Sequence, residues 1–413
     1  MPRTTCVVAG GGPAGMVLGL LLARAGVAVT VLEKHADFLR DFRGDTVHAS
    51  TIRLLDELGL GPAFRALPQS RLQNLELPQP DGLAVTLGDF RRLPPPYDHV
   101  AMVPQWDLLT LLADAARAEP SFALRMSTAA VDLLREGGRV TGVRTRTRDG
   151  VEEDLHADLV VAADGRSSVL RSAAGLVPHA YRVPFDTWWF RLPRWESERE
   201  QAALVPRIAG AEILLSFPRT DYFQVAYVNR KGMDARLRAE GVERFRERVA
   251  RLRPDFADRL DALTSTDDLH WLDVRLDRLP RWHVDGLLLI GDAAHAMSPA
   301  GGVGINLAVQ DAVAAAALLA APLRAGTLTS RDLARVRRRR LLPTVVIQLA
   351  QRVLHRLVFV PALAGRQPRA VRLVAAVARR VPAVTRIPAQ LIAFGPRPEH
   401  APAFARRPAP AGR

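Results

Sequence analysis

The chain has 413 residues, of which 48% are hydrophobic and 24% charged, so it is an ordinary globular protein with enough apolar content for two or three domains. Its net charge of +14 comes almost wholly from arginine. The sequence shows no zinc-ligand spacing, no helix-turn-helix cue and no basic stripe interleaved with aromatic residues, so nucleic-acid binding is disfavoured. The single cysteine, Cys6, excludes a disulfide within the chain and thiol–disulfide redox chemistry, which predicts a reducing, cytoplasmic location.

The N-terminus begins a strand almost at once, which predicts no secretory signal. No apolar stretch of about 18 residues is free of charges or of Gly and Pro breaks, which predicts no membrane span.

Residues 4–34 have the pattern of a strand, a glycine-rich turn, a helix and a second strand. The turn reads GGGPAG, and its glycines Gly10, Gly12 and Gly15 allow a tight turn, close approach of a pyrophosphate and close packing of helix on strand. Glu33 ends the second strand, where a carboxylate can accept hydrogen bonds from an adenosine ribose. The unit predicts binding of NAD or FAD, with a glycine-rich turn that holds no ligand as the alternative.

One polar residue further along suits the same ligand. Arg43 stands beside a glycine and can contact a phosphate or a ribityl oxygen, although a surface arginine is the alternative.

Residues 75–103 alternate in polarity and contain a proline cluster, which predicts two strands and a loop inserted out of the nucleotide-binding domain. Gln105 then opens a helix.

A further strand is predicted over residues 158–163, and Asp164 and a glycine follow it in a polar loop. This pattern suits contact with a ribityl chain or a phosphate, but it also fits an ordinary turn. Residues 179–283 read mostly as β-structure with a helix over 234–252. The aromatic residues 188–190 lie in this region. They predict either a plain core or an apolar sheet face that covers a flat ligand.

A third motif begins where the buried strand over residues 286–290 ends in Gly291 and Asp292. Asp292 is placed to bind a ribityl hydroxyl. A glycine-rich turn over residues 299–306 and the helix behind it present N–H groups to a second electron-rich group, which in a flavoenzyme is the pyrimidine edge of the flavin. His295 lies within this motif, and we interpret it as structural rather than catalytic.

Residues 329–357 are predicted to be helical, with the run of arginines from Arg337 to Arg340 in solvent. We expect the apolar stripe of this helix to pack on the body of the protein, with contact at a membrane interface as the less favoured alternative. The stripe consists of Leu342, Val345, Val346, Leu349, Val353 and Leu357.

The three separated motifs, in this order, resemble the FAD-dependent monooxygenases of the para-hydroxybenzoate hydroxylase type over about residues 4–325. The resemblance implies an α/β fold in which a Rossmann-like FAD-binding domain carries an inserted antiparallel β-sheet substrate domain and a C-terminal helical segment. The expected boundaries are 1–75, 98–178 and 280–328 for the first domain, 76–97 and 179–279 for the second, 329–400 for the helices, and 401–413 for a Pro/Ala/Arg-rich disordered tail.

The resemblance also implies roles for single residues. Gly12, Gly15 and Glu33 are expected to hold the ADP half of FAD, and Pro299 to Gly304 to line the flavin ring beside the substrate. The pyrophosphate and ribityl chain are assigned to Arg43, Gln105 and Asp292, while Asp164 is linked in the family to both FAD and the pyridine nucleotide. The predicted cofactor-binding set, with no catalytic acid or base and no metal ligand assigned, is Gly10, Gly12, Gly15, Glu33, Arg43, Gln105, Asp164, Gly291, Asp292, Pro299, Gly302, Gly304 and Ile305.

Members of the family reduce FAD with NAD(P)H and form a flavin hydroperoxide with O₂, which here implies hydroxylation of an apolar, aromatic or polycyclic small molecule. A single dinucleotide fingerprint is present, so the nicotinamide is expected to bind transiently. One alternative is a reductase of the geranylgeranyl-reductase type, and another is a protein that keeps FAD without turnover. A halogenase is disfavoured, because neither Lys34, beside the ribose-binding acid, nor Lys231, in a polar turn, suits its lysine.

Overall fold

The structure is a computed structural model that describes residues 3–39, 46–78, 84–198, 204–366 and 368–408. Strands and helices alternate along the first part of the chain, and strands dominate its middle. The strands in these residues are β1 (Arg3–Ala9), β2 (Val29–Leu32), β3 (Thr46–Val47), β4 (Ser70–Leu72), β5 (Asn74–Pro78), β6 (Ala84–Asp89), β7 (Val100–Met102), β8 (Phe122–Arg125), β9 (Thr128–Glu136), β10 (Arg139–Thr147), β11 (Glu152–Ala162), β12 (His179–Ala180), β13 (Phe185–Pro193), β14 (Val205–Ala209), β15 (Glu212–Pro218), β16 (Tyr222–Arg230), β17 (His270–Leu272), β18 (Asp277–Arg278), β19 (His283–Val284) and β20 (Leu287–Leu289). The helices are α1 (Pro13–Arg24), α2 (Ala49–Glu57), α3 (Gly61–Arg65), α4 (Gln105–Arg117), α5 (Val169–Ala173), α6 (Asp234–Leu252), α7 (Gly304–Ala325), α8 (Ser330–Leu354), α9 (Val360–Leu363), α10 (Arg369–Arg380) and α11 (Arg386–Ala393).

The main sheet has a parallel centre in the order β8-β2-β1-β11-β20. Strand β19 is antiparallel at one edge, and the β9–β10 hairpin pairs antiparallel with β11. The central strands are apolar on both faces because helices cover a parallel sheet, and α1, α4 and α7 form the core on one of these faces. The carboxyl ends of β1, β11 and β20 consequently lie side by side at one edge, which is where such sheets bind ligands.

The second large sheet is antiparallel, in the order β14-β15-β16-β13-β17. Side chains of β13 alternate between its faces, as a strand requires. Trp188 and Phe190 pack with α6, while Phe185 and Trp189 pack on the side of residues 297–307. The sheet therefore turns an apolar face toward the segment before α7. The predicted fold class, an α/β protein with a Rossmann-like sheet, an antiparallel sheet and C-terminal helices, is confirmed.

Helix α8 buries a different side from the one that was predicted. Its neutral polar side chains from Thr344 onward and Arg340 face the protein, so that Arg340 and Gln348 are fully buried, whereas Leu349 is 54% exposed. The prediction that the apolar stripe packs on the body is therefore wrong for Leu342, Leu349, Val353 and Leu357, and the prediction of a solvated arginine run is wrong for Arg340. The reason is that the buried polar groups have partners inside the protein, such as the carbonyl oxygen of Asp277, which accepts a hydrogen bond from Gln348 at 2.7 Å.

The tail is ordered where the structure describes it. The prediction of disorder from Ala401 onward is wrong for residues 401–408, because Ala401 and Ala405 are buried. Glu57 accepts a hydrogen bond from the Ala401 N–H at 2.6 Å, and Arg24 donates one to the carbonyl oxygen of Ala405 at 2.9 Å. These polar contacts, which a Pro/Ala/Arg-rich composition does not reveal, attach the tail to α1 and α2. Residues 409–413 lie outside the described residues.

Candidate cofactor site

The first glycine-rich turn leaves β1 at Gly10, whose backbone has a positive φ of +108°. An ideal Cβ at this position would lie 2.4 Å from the carbonyl oxygen of Ala163, so only glycine fits. The N–H of Gly10 donates to the carbonyl oxygen of Leu32 at 2.8 Å. Gly10 thus lies between the ends of β2 and β11 and brings the first motif into contact with the second.

Helix α1 begins directly behind this turn, with Pro13 as its first residue. Its N-cap, Gly12, makes no side-chain capping bond, and the space where a Cβ of Gly12 would stand is open to 4 Å. Gly15, by contrast, is in tight contact with the backbone of Gly10. An uncapped helix N-terminus with open space beside it can hold a phosphate through its N–H groups and its dipole.

Glu33 lies at the end of β2 and is 2% exposed. Its two carboxylate oxygens accept hydrogen bonds from the backbone N–H groups of Gly11 and His35, at 2.9 and 3.0 Å. Each oxygen of a carboxylate has two lone pairs and can accept more than one hydrogen bond. The backbone therefore fixes this carboxylate beside the glycine-rich turn.

Asp164 follows β11 and contacts the first turn, since the ideal Cβ of Gly10 would lie 3.0 Å from the Asp164 Cα. One carboxylate oxygen accepts a hydrogen bond from the N–H of Leu170 at 3.3 Å, whereas the other is buried without a partner. Burial raises the pKa of this carboxyl. A buried oxygen that lacks a partner at the ligand-binding edge of the sheet is an observation that favours a bound donor there.

The third motif packs against the first. Gly291 has a φ of +57°, and an ideal Cβ on it would lie 2.9 Å from Ala308 in α7 and 3.7 Å from Ala14 in α1. Asp292 follows Gly291 and is partly exposed, with a carboxylate oxygen 3.4 Å from the guanidinium of Arg166. Because Arg166 comes two residues after Asp164, this ion pair joins the second motif to the third. The structure therefore brings all three motifs together at one edge of the main sheet.

A buried ionic network holds the third turn in place. Asp311 on α7 accepts hydrogen bonds from the Gly291 N–H at 3.1 Å and from Arg340 at 2.9 Å, and it lies 2.6 Å from the ring of His295. Burial alone raises the pKa of Asp311, but the neighbouring His295 and Arg340 outweigh it and lower this pKa. Glu399 completes the network with Arg340 at 3.5 Å. His295 is fully buried in this network, where it positions the turn.

The glycine-rich turn before α7 is held from two sides. Gly302 has a φ of +64°, and its carbonyl oxygen accepts a hydrogen bond from Thr46 at 3.1 Å and lies 2.9 Å from Nε2 of His48. Gln351 of α8 donates to the carbonyl oxygens of Ser298 and Ala300, at 2.8 and 2.9 Å. Helix α7 then begins at Gly304 without a side-chain cap, which leaves its N–H groups available to an electron-rich ligand.

The other predicted residues lie around these turns. Pro299 and Ile305 are half-buried in the turn and the first turn of α7, and Gln105 is half-buried as the first residue of α4. Gln105 follows β7, which pairs with Thr46, the residue that contacts Gly302. Arg43 lies outside the described residues.

The sequence did not predict that Arg166, Asp311 and Arg340 belong to the site. Arg166 carries a weak signal, since it follows an Asp-Gly pair after a strand. Asp311 and Arg340 lie in helices, and nothing in their local sequence points to the site.

In the part of the chain that the structure describes, no group of three or more His, Cys, Asp or Glu side chains can hold a metal ion. The thiol of Cys6 is buried, and burial raises its pKa.

These features fit FAD along its length. The uncapped α1 with the open space at Gly12 suits the pyrophosphate, Glu33 suits the ribose, and the third turn with Asp292 suits the ribityl chain. The family model described as an FAD binding domain matches residues 3–348. The chain therefore belongs to this family of FAD-binding proteins.

Relatives define the class more narrowly. The 6-methylpretetramide 4-monooxygenase of Streptomyces rimosus is 38% identical over 345 residues, which cover 82% of this chain and 80% of that protein. Anhydrotetracycline monooxygenase from the same organism is 31% identical over 75% of this chain, but the match spans only 61% of that protein's length. The solved structure of the anhydrotetracycline hydroxylase OxyS from Streptomyces rimosus matches with a TM-score of 0.74 and 26% identity, over 95% of this chain and 76% of that one. The chain is accordingly a member of the FAD-dependent monooxygenases, as the motifs predicted, rather than a reductase on the same scaffold.

Proposed function

We propose that the protein uses electrons from NAD(P)H and one atom of O₂ to hydroxylate a polycyclic aromatic compound of the tetracycline type. The observation that carries this proposal is the 38% identity, over 82% of the chain, to an enzyme named for the oxygenation of 6-methylpretetramide. FAD supplies the electron transfer and the oxygen activation when it is bound. The chain itself binds and orients the reactants and excludes water.

The substrate is proposed to lie between the antiparallel sheet and the glycine-rich turn before α7. Phe185 packs there in an apolar cluster with Met297 and Val303. On the same face, Trp189 and Phe217 form an aromatic pair with ring centroids 5.9 Å apart. Such a wall suits the face of a fused aromatic ring system.

Trp189 also offers a polar contact. Its indole N–H is buried and has no hydrogen-bond partner among the described residues. A buried donor without a partner costs free energy unless a ligand accepts from it. We assign this N–H to a phenol or ketone oxygen of the substrate, which would fix the orientation of the ring system over the turn.

The nicotinamide has no domain of its own in this proposal. The sequence contains one dinucleotide fingerprint, and its glycines and Glu33 are used for FAD. The reduced pyridine nucleotide therefore binds only transiently, next to the flavin site.

The experiment uses purified protein with FAD, NADH or NADPH, and 6-methylpretetramide or anhydrotetracycline under ¹⁸O₂. We expect the substrate to accelerate oxidation of the pyridine nucleotide and the product to contain one ¹⁸O atom. Product that forms equally well without oxygen would assign the protein to the reductases. Absence of NAD(P)H oxidation with every polycyclic candidate would leave a protein that binds FAD without turnover.

A further inference from the structure

Helix α8 and the segment after it form an amphipathic surface that is turned outward. The neutral polar side chains between residues 342 and 387 that the structure describes are all buried, and they are Thr344, Gln348, Gln351, His355 and Thr385. The exposed side chains of this segment are apolar or arginine. We call these exposed side chains, within described residues 342–387, the outer face.

The outer face concentrates apolar surface. Eleven of the eighteen large hydrophobic side chains that are exposed in the described residues belong to it, although it spans only a small part of the chain. Leu349, Val353 and Leu357 follow at helical spacing along α8 and the π-helical turn after it. Helix α10 contacts that turn and adds Leu373, which is 67% exposed, and Val377. Contiguous exposed apolar surface of this kind marks an interaction site.

The longer stretch of chain that includes the outer face holds the excess charge of the protein, and eight of its arginines lie within residues 342–387. Residues 333–398 contain 14 arginines and no Asp or Glu, which equals the whole net charge of +14. The rest of the chain is therefore neutral in sum. Exposed arginines such as Arg356, Arg380 and Arg386 are next in sequence to exposed apolar side chains of the outer face. An occupant of this face must be both negatively charged and able to take up apolar side chains.

We propose that the outer face docks on the surface of an anionic phospholipid membrane. Its apolar side chains would enter the boundary of the acyl chains, and its arginines would contact the lipid phosphates, as in interfacial amphipathic helices. A second copy of the chain does not fit, because a symmetric contact through this face would set arginines against arginines with no acid on either side. A protein interface would also require neutral donors and acceptors for its hydrogen bonds, and the neutral polar side chains described in residues 342–387 are buried away from this face.

The contact lies along the membrane surface. The continuous helical stretch Ser330–Leu363 is long and apolar enough to cross a bilayer, as is Gly304–Ala325, most of which is buried in the protein. Arg340 and Gln351 on the inner side of α8, however, are tied to Asp311 and to the turn before α7. Insertion across the bilayer would break these buried bonds, whereas contact through the outer face preserves them.

The test measures sedimentation of the full-length, FAD-loaded protein with vesicles of phosphatidylglycerol and phosphatidylcholine, and with vesicles of phosphatidylcholine alone. We expect binding to the anionic vesicles at low salt, weaker binding at high salt, and little binding to the neutral vesicles. The double variant Leu373→Ser/Val377→Ser should bind about tenfold more weakly, since it removes apolar area that enters the interface. Arg380→Gln/Arg386→Gln should bind more weakly at low salt only.

The matched control is Val151→Ser/Val177→Ser, which changes two exposed valines far from the outer face in sequence, 63% and 78% exposed, and should bind like wild type. Flavin content and melting temperature report whether each variant is folded. Failure to bind anionic vesicles at low salt would overturn the proposal, as would undiminished binding of Leu373→Ser/Val377→Ser. A dimer in sedimentation velocity that this variant dissociates, without vesicle binding, would assign the face to a second copy instead.

Discussion

Gly15 packs so closely on Gly10 that an ideal Cβ on Gly15 would lie 1.9 Å from the carbonyl oxygen of Gly10. Gly12, in the same turn, has no atom within 4 Å of its ideal Cβ. The two glycines therefore serve different purposes. Gly15 allows α1 to pack on β1, whereas Gly12 keeps open the space that a pyrophosphate needs.

This difference predicts two outcomes for the same substitution. Gly12→Ala should fold and melt like wild type, because alanine fits its φ of −75° and its surroundings, but should lose most of its flavin. Gly15→Ala should misfold, since the backbone of Gly10 cannot move aside. Melting curves and flavin absorbance per protein check both variants. Full flavin content in a folded Gly12→Ala would show that the pyrophosphate lies elsewhere.

Glu33→Gln should weaken FAD without weakening FMN. The carboxylate accepts the N–H groups of Gly11 and His35, and an amide in its place would set an NH₂ group against one of these donors. FMN lacks the adenosine that Glu33 is proposed to hold, so it serves as the internal control. We expect the dissociation constant of FAD to rise about tenfold on titration of the apoprotein, in line with loss of a charged hydrogen bond. An equal rise for both flavins would indicate a general structural defect.

Trp189→Phe should impair substrate binding while leaving FAD in place. The substitution keeps an aromatic ring against Phe217 and removes the indole N–H, the buried donor that we assign to the substrate. The expected result in steady-state assays is a KM for the polycyclic substrate several-fold higher, with normal flavin content. Trp271→Phe, at an exposed tryptophan of the neighbouring β17, is the comparison variant and should behave like wild type. A KM unchanged by Trp189→Phe would remove this N–H from substrate recognition.

His48 should make the protein less stable in mild acid. Burial lowers the pKa of His48 from 6.5 to about 4, although its ring faces the carbonyl oxygens of Gly302 and Ile392. Between these two pH values the unfolded chain binds a proton that the folded chain does not, so the free energy of unfolding falls as the pH drops. The full effect at pH 4 is about 3 kcal/mol.

Melting temperatures at pH 7.5 and pH 5 measure this effect of His48. The difference between the two should be smaller in His48→Asn than in wild type, whereas His179→Asn, at an exposed histidine, should leave it unchanged. An identical pH dependence in His48→Asn and wild type would contradict the assignment.

Local sequence predicted the parts of the fold whose signals are local. The strand–turn–helix of residues 4–34 and the helical region of residues 234–252 follow from glycine placement and from periodicity, although α6 (Asp234–Leu252) is kinked at Gly241, whose φ of +82° is not helical. The three motifs were also visible, because each joins a buried strand to a glycine turn. The three motifs meet at one edge of the main sheet because β1, β11 and β20, the strands that they follow, are neighbours in it.

Periodicity failed where burial depends on distant partners. The apolar side of α8 was expected to face inward, but its polar side chains form hydrogen bonds inside the protein. Arg340 donates to Asp311, Gln348 to the carbonyl oxygen of Asp277, and Gln351 to the carbonyl oxygen of Ser298. A helix with both an apolar and a polar side does not reveal which of them is buried when the core offers polar partners. The same limit hid the network around Asp311, whose members are separated by many residues in sequence.

The central claim, that three separate turns hold one flavin, is tested most directly at the two ends of β20. Asp292 follows this strand at the proposed ribityl site, whereas Asp285 precedes it and pairs with Arg139 at 2.9 Å on the surface. The measurement is the ratio of bound FAD to protein in purified Asp292→Ala and Asp285→Ala. We predict a ratio well below wild type for Asp292→Ala and a wild-type ratio for Asp285→Ala, and equal, full occupancy in both variants would contradict the account.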